Sequence, residues 1–509
     1  MISFIIFFLS FFYRILGLWH NYSFWVDEFS TARFARNILT YGLGVFNKKD
    51  IIVEHHNITT YFIVAAFFKL FKESEFFARL PFVIVGSIIP IVVYFLTKKI
   101  FDKTSAICAS LLTTFSYFMI TWSRQAREFA LLQALVLLTL YIYLEITSHK
   151  ERNILSIFLF LAVGVVGLLT HAMFYLLVFA ILIHYALENK ESLLNLVKKK
   201  QFWIVFILTL SSSVLLLWQQ GIFGFFKSSQ FGANNLWYYH SFLWREYGLI
   251  TFLGLSGLVI GIINIKKGSS LLLIHFIIQL LFVCFIWGHY LSKYLLPVFP
   301  YLFIGMGYFI SFVSKKALYN KSESVKFIVP ILLTLFIIAN GNKFVIKPKS
   351  YYSINHDFRE IANIDYNEIY NIIKTKGDVS KQKTAVIETW PDRAYWYIGN
   401  QYPAVYFFRW ENEKGIVSGH AKKTDFYYNN EGEKEIIKNL RFIGRLPDLK
   451  KAMIRYPKGF IFIDDSTLPH DVITYAQTHF KKELYLDHYP LEENPYSIWP
   501  STLYSWGME

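Results

Sequence analysis

Charged residues, cysteine and proline are all scarce in this chain of 509 residues. Only 17% of the residues are charged, and the sequence has two cysteines and 14 prolines. Cys108 and Cys284 each lie inside an apolar run and lack metal-ligand spacing. We therefore expect buried thiols, without a structural disulfide or a zinc site. The N-terminal apolar run has no small-residue cleavage site, which indicates an uncleaved membrane span.

Apolar residues are abundant instead, since 54% of the chain is hydrophobic and 19% is aromatic. Apolar windows of about 17–25 residues, long enough to cross a bilayer, recur through residue 341. The net charge of +15 does not indicate a nucleic-acid partner, because the lysines form short clusters between apolar runs. The sequence therefore predicts a polytopic α-helical membrane protein.

The apolar runs predict about eleven spans. They lie near residues 2–19, 80–97, 104–121, 129–147, 153–170, 172–187, 202–218, 247–264, 270–287, 295–313 and 327–341. A basic cluster follows every even-numbered span, for example Lys98 and Lys99, Lys198 to Lys200, and Lys315 and Lys316. By the positive-inside rule, the N-terminus lies in the cytoplasm of a multi-pass plasma-membrane protein. The long loops 20–78 and 219–246 then lie outside, and the first of them contains two amphipathic segments, 28–41 and 58–72.

The texture of the sequence changes after the last span. Residues 342–509 are polar, and strand-length apolar runs such as KTAVIET and GFIFIDD alternate with helical stretches. This alternation predicts a transmembrane domain over residues 1–341 and an extracytoplasmic α/β domain over 342–509. The second domain has no phosphate-binding glycine loop and no nucleophile elbow, which favours a supporting or acceptor-recognition role.

An acidic pair follows the first span in the segment NYSFWVDEFSTARFAR. Asp27 and Glu28 lie among aromatic residues at a predicted membrane edge, where a carboxylate is partly desolvated and attracts a proton or cation. Such a carboxylate can act as a general base, and a pair of them can bind a divalent ion. The same residues can also form an ordinary solvated turn. The sequence leaves open a divalent cofactor, Mg²⁺ or Mn²⁺, held by Asp27 and Glu28.

Further polar residues lie at the predicted outer ends of the spans. The candidates for substrate binding are His55 and His56 in EHHN, Arg124 and Arg127 in SRQAREFAL, His171 in LLTHAMFY, and His289, Lys293 and Tyr294 in GHYLSKYLLP. Glu128 is a candidate second acid beside the two arginines. Arginine suits a phosphate group because its planar fork donates two parallel hydrogen bonds. Each of these residues also fits a purely structural role at a membrane interface, and Lys227 and Arg245 are weaker candidates.

Four segments together resemble the glycosyltransferase C superfamily, specifically its protein O-mannosyltransferase and aminoarabinose transferase group. The segments are FWVDEFSTA, ARLPFVIVGSIIPIVVYFLTKKIF at 78–101, SRQAREFAL, and SKYLLPVFPYL at 292–302. The resemblance covers roughly residues 20–302 and excludes the C-terminal domain. The chain departs from it at Gln125, where relatives often have an acid, at EHHN, where His-Pro-Pro is common, and at Lys293, where arginine is usual.

The resemblance implies an inverting glycosyltransferase, with Asp27 as the leading catalytic carboxylate. Its donor would be a sugar on a polyprenyl phosphate, and its acceptor a lipid, glycan or protein hydroxyl outside the membrane. Two alternatives stay open. One is a polysaccharide polymerase or ligase that uses a diphosphate-linked donor. The other is a transporter or lipid flippase, although the predicted spans carry few charges in their middles, where transport sites usually lie.

Overall fold

A computed structural model gives the fold of the chain. It describes residues 2–20, 22–47, 57–148, 153–190, 234–350, 352, 365–377, 384–399, 404–413, 417, 426–430, 432–436, 440–464, 468–487 and 500–508. Two compact units are present. The first contains Met1–Leu16, Glu54–Thr60 and Leu80–Lys349, and the second contains Gly17–Val53, Tyr61–Arg79 and Ser350–Glu509. The predicted division of the chain into domains at residue 341 stays a prediction.

Helices dominate the described residues up to 350. They are α1 (Ile2–Ile15), α2 (Val26–Tyr41), α3 (Ile58–Leu70), α4 (Glu75–Ile100), α5 (Lys103–Phe115), α6 (Tyr117–Ser123), α7 (Phe129–Ser148), α8 (Ile154–Thr170), α9 (Phe174–Glu188), α10 (Leu236–His240), α11 (Gly248–Ile263), α12 (Lys267–Phe285), α13 (Pro300–Ala317) and α14 (Glu323–Asn340). Short 3₁₀ turns occur at Leu18–His20, Gly42–Asn47 and Ser292–Leu295, and a π-helical turn at Ser241–Glu246.

The chain has several helices that can cross a membrane. Among the described residues, five are long and apolar enough, and a sixth span results if the pair Leu236–Glu246 and Gly248–Ile263, bent by 93°, is counted as one. The polytopic helical class is therefore confirmed, but the count of eleven spans is not. The predicted span near 202–218 lies outside the described residues.

The predicted third span is two helices rather than one. Ser116 ends α5 and begins α6 in an extended conformation, and its hydroxyl accepts a hydrogen bond from the Met119 N–H group at 3.4 Å. The segment after α14 supports the break, because Val345 donates its N–H to the Phe115 carbonyl at 2.8 Å. Backbone groups released by the interruption therefore have protein partners, as the interior of a membrane protein requires.

Helices α11 and α13 approach each other through glycine. A Cβ atom placed on Gly257 would lie 1.9 Å from the Gly305 carbonyl oxygen, and one placed on Gly254 would lie 2.6 Å from the Leu302 carbonyl oxygen. Only hydrogen fits between these backbones. Small residues at such a contact are typical of helix pairs that associate within a bilayer.

Among the residues that the structure describes, the second unit contains an eight-stranded sheet. Its strands are β1 (Thr384–Glu388), β2 (Val405–Phe408), β3 (Phe426–Tyr428), β4 (Lys434–Ile436), β5 (Leu440–Ile443), β6 (Lys458–Ile463), β7 (Lys481–Leu486) and β8 (Ser501–Trp506). Their order is β3-β4-β5-β2-β1-β6-β8-β7. The four central strands, β5, β2, β1 and β6, are parallel, and antiparallel strands flank them on both sides.

Four short helices accompany this sheet in sequence. They are α15 (Tyr366–Lys376), α16 (Pro391–Ile398), α17 (Leu446–Arg455) and α18 (His470–His479). Ile387, Tyr406, Ile461 and Leu449 are among the buried residues of the core. The predicted sheet region with intervening helices is therefore present. From β1 the chain continues to β2 on one side, and it later returns to β6 on the other side of β1. The order of the strands therefore switches direction between β1 and β6.

Candidate functional site

Helix α2 begins at the predicted acidic pair. Trp25 is its N-cap residue, and Glu28, at the third helical position, accepts the Trp25 N–H group at 3.2 Å. A glutamate at this position satisfies a backbone donor that the helix leaves unpaired, and acidic residues in a first turn are favoured by the helix dipole. The local sequence FWVDE therefore explains both the start of the helix and the direction of Glu28.

Glu28 is buried in an ion pair with Arg79. The two side chains are 0% and 1% exposed, and the Arg79 Nε and Nη2 atoms lie 2.8 and 2.7 Å from the two Glu28 carboxylate oxygens. Arg79 also donates to the carbonyl oxygens of Tyr22 and Ser23, at 2.7 and 2.9 Å. The pair therefore fixes the turn that leads into α2.

Asp27 differs from its neighbour in exposure. Its side chain is partly exposed, whereas that of Glu28 is fully buried. A general base must reach the hydroxyl group that it deprotonates. Of the two carboxylates, Asp27 is therefore the one that a substrate can contact, and Glu28 is engaged by Arg79. The catalytic roles predicted for both residues stay predictions.

The acidic pair does not fit a divalent metal ion. Both Glu28 oxygens accept hydrogen bonds from Arg79, whose positive charge opposes a cation at the same carboxylate. No group of three or more His, Cys, Asp and Glu side chains that could hold a metal occurs in the described part of the chain.

A second group of predicted residues meets around Phe129 in the first unit. The Lys293 ammonium lies 5.3 Å from the Phe129 ring centre and 5.6 Å from that of Tyr294. The rings of His171 and Tyr294 lie 5.4 and 5.9 Å from Phe129. Lys293 is only 3% exposed. We call Lys293, Phe129, His171 and Tyr294 the lysine–aromatic cluster.

Arg127 and Glu128 precede Phe129 directly in the chain. Arg127 Nη2 lies 3.0 Å from Glu128 Oε1, and both side chains are buried. Gln125, which occupies the position where relatives often have an acid, is buried as well. The predicted cationic segment is therefore adjacent to the lysine–aromatic cluster along the chain. Glu128 forms an ion pair with its own neighbour, Arg127.

Arg124 has a structural contact instead. Its Nη1 atom donates to the carbonyl oxygens of Arg14 and Leu16, at 3.0 and 2.6 Å. Carbonyls at the end of a helix lack partners within the helix, and a cation there also complements the helix dipole. Arg124 therefore stabilises the end of α1, and phosphate binding by this residue stays a prediction.

His171 of the lysine–aromatic cluster also has a backbone contact, and His289 lies next to the cluster through Trp287. The His171 Nδ1 atom lies 3.0 Å from the Met173 backbone nitrogen, which fixes the turn before α9. Trp287 packs against Tyr294 at 5.5 Å between ring centres and against His289 at 6.4 Å, and His289 is exposed. His55, His56 and Lys227 lie outside the described residues.

Comparison with known proteins identifies the fold. The sequence profile of the dolichyl-phosphate-mannose-protein mannosyltransferase family matches residues 55–218. ArnT from Cupriavidus metallidurans has a similar structure, with 12% identity, a TM-score of 0.57, and coverage of 99% of this chain and 96% of ArnT. The oligosaccharyltransferase AglB from Archaeoglobus fulgidus, in complex with an inhibitory peptide and a dolichol-phosphate, matches with 11% identity and a TM-score of 0.55, over 96% of this chain and 72% of AglB.

The chain therefore has the fold of ArnT and AglB. The resemblance seen in the four sequence segments is therefore confirmed. No curated protein sequence matches the chain. Arg79 is a site residue that the sequence did not predict. It lies in the quoted segment ARLPF, but the partner that gives it a role, Glu28, precedes it by 51 positions.

Proposed function

We propose that the protein is an inverting glycosyltransferase of the membrane. It moves a sugar from a polyprenyl-phosphate donor to a hydroxyl group of an extracytoplasmic lipid, glycan or protein. The lysine clusters after the even-numbered spans support a cytoplasmic N-terminus. The glycosyltransferase C fold supports the reaction class, and the dolichol-phosphate bound to the similar protein AglB supports a lipid-phosphate donor.

The observation that carries the proposal is the difference between the two adjacent carboxylates. Glu28 is buried against Arg79 and holds the start of α2, while Asp27 keeps partial exposure in the same helical turn. Asp27 accepts the proton of the acceptor hydroxyl, and the oxygen attacks the anomeric carbon. The bond from that carbon to the phosphate oxygen breaks, and polyprenyl phosphate leaves from the opposite face. An inverting transfer of this kind needs no covalent glycosyl-enzyme.

The lysine–aromatic cluster is assigned to the donor phosphate. A buried ammonium on Lys293 and the guanidinium of Arg127 can stabilise the negative charge that develops as the phosphate departs. The rings of Phe129 and Tyr294 exclude water from the lysine, which strengthens its interaction with an anion. His171 and Tyr294 add polar groups to the same cluster.

The test compares two carboxylate variants in cells that otherwise lack the gene. Mass spectrometry of surface glycans and glycoproteins identifies the product that disappears without the gene. The Asp27→Asn protein should insert into the membrane at normal levels and fail to restore this product. Glu368→Gln is the matched control, because Glu368 is an exposed acid in the first turn of α15. Full restoration by Asp27→Asn would remove Asp27 from its role.

Synthetic donors separate the proposal from its alternatives. Purified protein should release polyprenyl phosphate from a polyprenyl-phosphate hexose in the presence of acceptor-containing membranes. Turnover of only the diphosphate-linked donor would instead favour a polymerase or ligase. Uptake into proteoliposomes without sugar transfer would favour a transporter.

A further inference from the structure

Helix α16 of the sheet region binds the helix that carries Asp27. Arg33 of α2 forms an ion pair with Asp392, and the Ser30 hydroxyl donates to the same carboxylate at 3.0 Å. Ser30 lies three residues from both Asp27 and Arg33, so it neighbours each of them on the surface of the helix. Asp392 therefore binds α2 between one and two turns beyond the proposed base.

A second arginine of α2 extends this contact to the other end of α16. Arg36 Nη1 donates to the Tyr395 carbonyl at 3.0 Å, and its guanidinium lies 4.4 Å from the Trp396 ring centre. Carbonyls near a helix C-terminus attract cations. The Trp396 indole in turn donates to Glu75 at 3.2 Å. Both ends of α16 therefore contact α2 and its neighbouring segments.

A buried polar network fixes α16 on the sheet. Arg393 is fully buried and binds Glu388 at the end of β1, at 3.0 Å, and Asp464 just after β6, at 2.6 Å. Glu388 also accepts the Ala394 N–H group at 2.8 Å. The network lies where the central strands β1 and β6 end, so it ties the start of α16 to the middle of the sheet.

We propose that the sheet region positions the proposed catalytic base, with Asp392 as the positioning residue that holds α2 in register. This inference rests on the proposed role of Asp27. A general base must lie within hydrogen-bond reach of its substrate hydroxyl, and a displacement of about 1 Å can cost about a hundredfold in rate. The contact acts on rate through geometry, because Ser30, which binds Asp392, lies about one helical turn from Asp27 in α2.

The Asp392 contact contributes little to the stability of the whole chain. Its effect on activity can therefore be tested without unfolding the protein. The side chains of Arg33 and Asp392 are 27% and 26% exposed, and ion pairs of this kind contribute little to overall folding. We therefore expect Asp392→Ala to change the unfolding temperature of the full chain by less than about 3 °C. The variant should nevertheless loosen α2, because Ser30 and Arg33 both lose the carboxylate that binds them.

The experiment uses the full-length protein in nanodiscs and two readouts. In hydrogen–deuterium exchange, Asp392→Ala should accelerate exchange of the α2 amides by about tenfold. With polyprenyl-phosphate mannose as donor, kcat should fall by about tenfold or more while KM stays within about twofold. Ser30→Ala removes one bond to the same carboxylate and should give a smaller effect in the same direction. Glu368→Ala, which alters an exposed acid of α15, is the matched control.

Exchanging the charges provides the rescue. The double variant Arg33→Asp with Asp392→Arg should recover at least half of the lost kcat and of the lost amide protection. Unchanged exchange in α2, or faster exchange with normal kcat, would overturn the inference. A loss of activity with an equal loss of thermal stability and no rescue would overturn it as well. If Asp27→Asn proves fully active, the proposed base is wrong, and the exchange data still decide whether α16 holds α2.

Discussion

The Glu28–Arg79 ion pair allows an experiment to distinguish the roles of the two adjacent carboxylates, Asp27 and Glu28. Replacement of Glu28 by Gln keeps the size of the side chain and removes its charge. Arg79 then remains as a buried cation without its anion, since the two side chains are 1% and 0% exposed. Breaking a buried ion pair in this way typically costs about 3–5 kcal/mol.

The structure places the expected cost near the lower end of that range. Arg79 keeps its hydrogen bonds to the carbonyls of Tyr22 and Ser23, and its guanidinium lies 4.1 and 4.9 Å from the ring centres of Tyr22 and Phe24. These groups partly stabilise the charge. A cost of about 3 kcal/mol corresponds to local opening of α2 that is on the order of a hundredfold more frequent.

Asp27→Asn is the contrasting change. Asp27 is partly exposed in the first turn of α2, where loss of a negative charge costs about 0.3–1 kcal/mol through the helix dipole. The opening of α2 should therefore increase by less than about fivefold. Hydrogen–deuterium exchange of the α2 amides measures both effects in the same protein preparation. Transfer activity should be lost in Asp27→Asn even though the helix stays protected.

Two results would refute this reasoning. In the first, the α2 amides are equally protected from exchange in Glu28→Gln and in Asp27→Asn, and both variants lose transfer activity. Glu28 would then take part in the reaction itself. In the second, the α2 amides exchange faster in the double variant Glu28→Leu with Arg79→Met than in Glu28→Gln. The free-energy cost of Glu28→Gln would then not come from the uncompensated charge of Arg79. Replacing both partners by apolar groups should instead recover part of the protection.

Three further outcomes follow from the contacts described above. Lys293→Met should lower kcat for a polyprenyl-phosphate donor by about tenfold or more, because the charge that stabilises the departing phosphate is lost, while Lys293→Arg keeps most of the activity because the positive charge is retained; steady-state kinetics with a synthetic donor measures both. Burial raises the pKa of Glu388 from its ordinary value near 4.5 to about 7. Between these two pH values, Glu388 therefore holds a proton in the folded chain that it has released in the unfolded chain. The free energy of unfolding of the sheet region should therefore fall as the pH rises from about 4.5 to about 7 and then level off, and Glu388→Gln should remove this slope in thermal unfolding at several pH values. Gly257→Val should lower the unfolding temperature of the purified protein, because a Cβ there would lie 1.9 Å from the Gly305 carbonyl oxygen, whereas Gly164→Val on α8 meets no atom within 4 Å and should have little effect.

Local features of this fold could be predicted from the sequence. The apolar run at 129–147 corresponds to α7 (Phe129–Ser148), the strand-like run KTAVIET contains β1, and GFIFIDD contains β6 except for its first residue, Lys458. Hydrophobic pattern and length determine such elements directly. The segment FWVDE likewise contains the acidic first turn of α2 and the glutamate that caps its N-terminus.

Long-range pairing could not be predicted in this way. Asp392 is separated from Arg33 by 359 positions, and no local pattern distinguishes it from other exposed acids. The break at Ser116 was also missed, because neither proline nor glycine interrupts the run there and the partner backbone comes from Val345. One sequence likewise could not show that the adjacent residues Asp27 and Glu28 differ in burial.

The glycine contact between α11 and α13 has a consequence for lipid traffic. Where carbonyl oxygens of one helix occupy the space that a methyl group of the other would need, no isoprenoid chain can slip between the two. That seam of the bundle is closed along its touching stretch. The polyprenyl-phosphate donor proposed above would then enter and leave through a different gap, so crosslinkers carried on its tail should label other helices and spare this seam.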